Sequence, residues 1–166
     1  MMTDPTLKRL GALSKTLNEA SDVISKQIAG IESALNALRL GVWAWVEVER
    51  ERVVDEFEDS ETKEKSHCEL TRVLQLGYTR HRGNWALVVM DHFEELDPDE
   101  AETVPLREAK RDIKLAAVEK IPELLKAIED KARKVTEDAA RKANVLRDMA
   151  WAFGQQAGAG SKGGGT

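Results

Sequence analysis

The sequence predicts an α+β fold that is mostly helical, with two long amphipathic helices flanking a three-stranded antiparallel β-meander and one shorter helix. Two long stretches carry an apolar residue at every third or fourth position, which keeps one narrow apolar stripe on one side of an α-helix. Between them the period changes to two, which is typical of β-strands. We interpret residues 1–153 as a single domain and residues 154–166, GQQAGAGSKGGGT, as a flexible Gly-rich tail.

The composition favours a folded cytoplasmic protein. The 166 residues are 42% hydrophobic and 33% charged, with a net charge of −5 that argues against a dedicated nucleic-acid binder. The single cysteine, Cys68, excludes an intramolecular disulfide framework. No apolar run approaches the roughly 20 residues that cross a bilayer, and the first residues lack the order of a secretory signal.

The first predicted helix covers residues 5–40. Its apolar positions have a mean spacing near that of a coiled-coil seam, and Gly41 is well placed to end the helix. The stripe consists of Leu10, Leu13, Leu17, Ala20, Ile24, Ile28, Ile31, Leu35 and Leu38.

The predicted β region covers residues 42–93. From Val42 to Glu49 the small and β-branched residues alternate with Trp43, Trp45 and glutamates, which predicts a strand with two different faces. Two further strands are expected over 68–79 and 85–93, joined by a turn at 81–84 where Gly83 can supply a positive φ. The charged segment 51–65 is interpreted as a solvent-exposed excursion from the sheet, that is, a connecting segment between the first two strands.

The C-terminal part begins with an acidic loop and continues as helices. Residues 94–104 are strongly acidic and are interpreted as a solvated loop rather than a calcium loop. A shorter helix is expected over 106–120, and the long helix over 122–153, because Pro122 fits the first turn of a helix and not its interior. The apolar stripe of the long helix runs from Ile121 through Ile128 and Val135 to Phe153.

The two long helices need a partner for their stripes, and two arrangements stay open. They pair within one chain as a coiled-coil-like hairpin, or between chains as a dimeric bundle; we favour a homo-oligomer, with a dimer first. The residues expected at the oligomer contact are Leu17, Ile24, Ile31, Ile128, Val135, Leu146, Trp151 and Phe153.

No catalytic constellation, metal site or cofactor is expected. His67 and Cys68 are both possible zinc ligands, but neighbouring side chains in a strand point to opposite faces and no further ligands accompany them. None of the three histidines lies in a recognisable motif of a catalytic nucleophile and its general base.

The most suggestive patch is the predicted hairpin tip. Its basic and aromatic side chains are suited to clamp a phosphate or to stack on a base, although a basic tip with a cross-strand aromatic pair also fits an ordinary hairpin. The shorter helix carries a basic ridge that either extends this surface or is a solvated, salt-bridged face. The candidate binding residues are Tyr78, Arg80, His81, Arg82, Trp85, Arg107 and Arg111.

We therefore expect a non-enzymatic, homo-oligomeric interaction or adaptor protein. It should recognise another macromolecule, with a protein as the expected partner, through its β region or its helical surface. One alternative is a binding protein for a phosphorylated small molecule or nucleotide at the hairpin tip. A weaker alternative is nucleic-acid binding by the tip and the basic ridge.

Overall fold

A computed structural model describes residues 5–58, 65–96 and 101–159. It shows an α+β protein with helices α1 (Pro5–Leu38), α2 (Arg111–Val118) and α3 (Ile121–Ala159). The strands are β1 (Ala44–Glu58), β2 (Lys65–His81), β3 (Asn84–Phe93) and β4 (Thr103–Pro105). The chain divides into two compact units, Met1–Ile128 and Glu129–Thr166. None of the described helices is long and apolar enough to cross a membrane.

The four strands form one antiparallel sheet in the order β1-β2-β3-β4. The predicted antiparallel sheet is confirmed, but it has four strands and not three, because a short strand joins it through pairing of Val104 with Val89. The predicted loop over 94–104 is wrong only at its end, where Thr103 and Val104 belong to β4. These two β-compatible residues are followed by a proline that suits the edge of a sheet. Residues 97–100 of that loop lie outside the described residues.

The first two strands are longer than the sequence indicates. Residues 51–58, predicted as a solvated excursion, continue β1 and pair with 65–72 of β2. Ladder hydrogen bonds are made by the backbone, so a high content of charged side chains does not by itself prevent strand pairing. Residues 59–64 of the predicted excursion lie outside the described part of the chain.

A β-bulge changes the alternation predicted for the first strand. The register shifts between Glu47 and Glu49, which leaves Val48 as the extra residue. Val46 pairs with Leu76, and Glu49 pairs with Leu74, which is on the same face of β2 as Leu76. Glu49 therefore shares a face with Val46, whereas strict alternation predicts the opposite face.

The hairpin between β2 and β3 has a two-residue turn. Arg82 and Gly83 have φ values of 49° and 87°, the left-handed conformation that two-residue hairpin turns require. The predicted positive φ at Gly83 is confirmed. The adjoining pairs, His81 with Asn84 and Arg80 with Trp85, set the register of the whole hairpin.

The helices differ from the prediction at their ends. α1 ends at Leu38 because Arg39 adopts a left-handed φ of 50°. The shorter helix is broken into a 3₁₀ turn, Leu106–Glu108, and α2, because Ala109 and Lys110 are extended. α3 carries Pro122 in its first turn as expected and continues to Ala159, into the segment interpreted as a tail. Residues 160–166 of that tail are outside the described range.

The core of the first unit is built by the sheet, α1, the 3₁₀ turn and the first two turns of α3. Leu76 and Leu87 are buried on one face of the sheet, and Val73 and Val88 on the other. The helical elements add fully or almost fully buried side chains at Ile28, Leu35, Leu106, Leu124 and Ile128. Lys114 of α2 is buried with them, and its Nζ donates to Ser25 Oγ at 2.9 Å and to the Arg107 carbonyl at 2.8 Å.

The second unit consists of the rest of α3. Ion pairs along the helix surface link residues three or four positions apart, such as Glu129 with Arg133 at 2.9 Å and Asp138 with Lys142 at 2.6 Å. Pairs at this spacing support an isolated helix by only ~0.2–0.5 kcal/mol each. These pairs therefore contribute only a small part of what stabilises a long helix.

Candidate functional site

Side chains of α1 complete the edge of β3. The short β4 pairs with Val88 to Met90, so within the described part of the chain the first half of β3 has no strand on that side. Glu32 Oε1 accepts a hydrogen bond from the Leu87 N–H at 2.8 Å, and one helical turn later Asn36 Nδ2 donates to the Trp85 carbonyl at 3.1 Å. These two side chains replace a strand partner and hold the hairpin tip against the C-terminal end of α1.

A cavity of about 470 Å³ lies where these two elements meet. Its volume is in the range of pockets that hold small molecules. The lining comes from the end of α1, the segment that follows it, and the hairpin. The lining residues are Asn36, Arg39, Leu40, Gly41, Tyr78, Arg80, Gly83, Asn84 and Trp85.

The aromatic side of the cavity is a fixed array. Tyr78 is only 3% exposed, and its hydroxyl donates to Asn36 Oδ1 at 2.7 Å. Its ring stacks on Trp85 with centroids 5.2 Å apart, and the Arg80 guanidinium carbon lies 5.7 Å from the Trp85 centroid. Burial raises the pKa of Tyr78, and the charge of Glu32 raises it further. The phenol is therefore held in its neutral, donating form.

The charged side chains in the lining of the cavity are both cationic. Arg39 and Arg80 line it, and no acidic side chain does so among the described residues. In the described ranges the ion pairs of this protein involve other cations, so Arg39, Arg80 and Arg82 have no carboxylate partner there. Two uncompensated guanidinium groups facing one space are suited to an anion.

Three of the predicted binding residues come together here, and the others do not. Tyr78, Arg80 and Trp85 line the cavity, whereas Arg82 lies in the adjoining turn and does not line it. His81 is directed to β4, with its Nδ1 3.3 Å from the hydroxyl of Thr103.

The predicted ridge on the shorter helix is far from the tip. The Arg111 guanidinium donates to Asn18 Oδ1 at 2.5 Å, and Arg107 pairs with its neighbour Glu108 at 3.8 Å. Asn18 and Asn36, on the same helix, are separated by 18 residues, which is about 27 Å at ~1.5 Å per residue. Arg107 and Arg111 therefore do not extend the cavity.

Sequence reasoning missed Asn36 and Arg39. Both lie about 40 residues before Tyr78 in the sequence, so only the tertiary fold brings them to the hairpin. The available signal was Gly41, which follows both residues in the sequence. It marks the end of a helix and does not show which part of the chain that end contacts.

The apolar stripe of α1 divides into a covered half and an open half. Ile28 and Leu35 are buried, and Ile24 and Ile31 line a groove of about 220 Å³ together with Val118 and Ile121. The earlier positions Leu10, Leu13 and Leu17 are 55%, 65% and 43% exposed. Of the expected oligomer contacts on α1, only Leu17 is thus an open apolar position.

The stripe of α3 divides in the same way. Ile128 is buried at the end of the first unit, whereas Val135, Leu146, Met149 and Phe153 of the second unit are at least half exposed. Trp151 is also exposed, but at about 100° per residue it lies some 140° around the helix from Leu146 and belongs to another face.

No group of three or more potential metal ligands occurs among the residues that the structure describes. No family model matches this sequence, and comparisons with curated proteins and with solved structures find no significant similarity.

Proposed function

We propose that this protein is a non-enzymatic interaction protein that assembles with a second copy of itself through the open stripes of α1 and α3. The observation that carries the proposal is that apolar residues at heptad spacing stay exposed on both long helices. On α1 these are Leu10, Leu13 and Leu17; on α3 they are Val135, Leu146, Met149 and Phe153. Exposed apolar residues at this spacing are typical of helices that pack against another helix.

The gain from covering these side chains supports a second copy as the partner. Full burial of a leucine-sized side chain is worth roughly 1.5–3 kcal/mol, so covering one that is half exposed gains ~1 kcal/mol. The three α1 positions on two copies give ~6 kcal/mol, which is at the low end of the ~4–15 kcal/mol that association costs. Adding the four α3 positions brings the gain to ~14 kcal/mol, so both helices must contribute for a stable dimer.

Assembly would also give the protein two copies of its β region. Linking two binding surfaces raises avidity for a partner that presents repeated sites, without any new contact. We therefore propose that the assembled form recognises another macromolecule, with a protein as the first candidate because the net charge is −5.

The proposal is tested by polar substitution within the stripe and opposite it. Leu13→Gln with Leu17→Gln removes two apolar contacts, whereas Lys8→Gln with Lys15→Gln makes the same kind of change on the opposite face of α1. Light scattering coupled to size exclusion is expected to show the wild type and the lysine variant as oligomers and the leucine variant shifted to monomer. Equal masses for all three proteins would contradict assembly through this stripe.

A further inference from the structure

We propose that the cavity between the end of α1 and the hairpin tip binds the phosphate group of a small phosphorylated molecule, with Arg39 and Arg80 as the anion-binding residues. The site lies in the first unit and does not use the open helical stripes. The proposal is therefore independent of self-association, and either one can fail alone.

The charges of the cavity select an anion. Arg39 and Arg80 both line it without a carboxylate partner among the described residues, and the amides of Asn36 and Asn84 add neutral polar groups. Two guanidinium groups match the two negative charges of a phosphate monoester and can each donate two hydrogen bonds. A neutral or cationic ligand would leave both charges uncompensated.

The backbone conformation adds a second, independent observation. Among the described residues, only two that are not glycine have a positive φ, and both are arginines beside this cavity: Arg39 at 50° and Arg82 at 49°. The left-handed region costs a residue with a side chain roughly 1–2 kcal/mol, and glycine or asparagine normally occupies it. The two-residue hairpin turn accounts for this conformation at Arg82. At Arg39 a glycine would adopt it without that cost, and the arginine that occupies the position lines the cavity.

The wall between the two arginines is held in place before any ligand arrives. Asn36 is fixed by the Tyr78 hydroxyl and by the Trp85 carbonyl, so the end of α1 and the hairpin are joined across the cavity. The Trp85 ring already contacts Tyr78 and Arg80. Recognition therefore rests on the phosphate, and not on stacking of a nucleobase against an open ring.

The size of the cavity indicates the ligand class. About 470 Å³ is much more than one phosphate occupies and suits a small organic group attached to it. Leu40 provides an apolar wall for that group, while Gly41 and Gly83 leave backbone accessible at the rim.

The test is titration calorimetry of the full chain with phenyl phosphate and with inorganic phosphate at low ionic strength. Saturable binding of one phenyl phosphate per chain is expected, with weaker binding of inorganic phosphate. Arg39→Gly and Arg80→Gln should each weaken binding about tenfold or more, the loss expected for one charge-assisted hydrogen bond. The control Arg107→Ala removes the same charge from a residue that does not line the cavity, and it should bind like the wild type.

Thermal unfolding of the same variants separates binding from folding. Arg39→Gly relieves a left-handed residue, so its Tm should equal or exceed that of the wild type while affinity falls. If Arg39→Gly keeps full affinity, or if no variant differs from Arg107→Ala, the proposal is wrong. Should single-stranded oligonucleotides with and without a 5′-phosphate bind equally well, and better than phenyl phosphate, the site would be a nucleic-acid surface and the proposal would be overturned.

Discussion

The carboxylate of Glu32 accepts a hydrogen bond from the backbone N–H of Leu87, so a helix side chain takes the position of a strand at the edge of the sheet. Glu32 is 8% exposed and Leu87 is fully buried. An unpaired backbone N–H in such a place is costly, because water cannot replace the lost partner.

Removing this acceptor should destabilise the first unit. We expect Glu32→Ala to lower the free energy of unfolding by ~1–3 kcal/mol, the cost of one buried unsatisfied donor. Glu32→Gln keeps an acceptor oxygen in nearly the same place and should lose less. Urea unfolding followed by circular dichroism measures both, and an alanine variant as stable as the wild type would contradict the role of Glu32.

Gly77 is required by Trp45, its partner across the β1–β2 ladder. A Cβ on Gly77 would lie 2.4 Å from an indole carbon of Trp45, which is far inside van der Waals contact. Gly77→Ala should therefore displace the indole and lower the free energy of unfolding by ~1–3 kcal/mol, as overpacking does. The matched control is Gly30→Ala in α1, where a Cβ meets nothing within 4 Å and the helix should gain ~0.5–1 kcal/mol. Urea unfolding of the two variants measures both effects. Changes of the same sign in their free energies of unfolding would refute this explanation.

The ionisation of Tyr78 should report on its surroundings. It is the only tyrosine in the chain, so the rise of phenolate absorbance with pH follows this side chain alone. Burial and the nearby Glu32 raise the pKa of Tyr78, so the midpoint is expected above the ordinary value of about 10.

The same shift predicts a loss of stability at high pH. The folded chain binds the phenolic proton more tightly than the unfolded chain does, so the stabilisation is complete below about pH 10 and disappears as pH rises through the folded pKa. Tyr78→Phe should remove this part of the pH dependence, since phenylalanine does not ionise. A midpoint at or below 10 in the folded protein would contradict the buried, neutral phenol.

Much of the fold could be predicted because periodicity reports local structure. The stripes from Leu10 to Leu38 and from Ile121 to Phe153 predict two long helices, and Gly83 predicts the turn of a hairpin; all three occur. The errors have local causes too. The bulge at Val48 needs one extra residue that alternation does not reveal, and Val104 pairs in a strand too short to show a period.

The candidate site could be predicted only on the hairpin side. Tyr78, Arg80 and Trp85 lie within eight residues, and pairing across a tight turn places them on one face. Arg39 reaches them because Glu32 and Asn36 attach α1 to the edge of β3, a contact between distant parts of the sequence. The prediction for Arg111 was wrong for the same reason. The sequence does not show which part of the chain the shorter helix contacts, and Arg111 donates a hydrogen bond to Asn18 and does not reach the hairpin tip.

Sedimentation equilibrium of the unmodified protein over a wide concentration range tests the central proposal most directly. The chain has a mass of 18.5 kDa, and we expect a mass of about twice this value, with dissociation only at low concentration. A mass of one chain at every concentration would contradict assembly through the open stripes of α1 and α3.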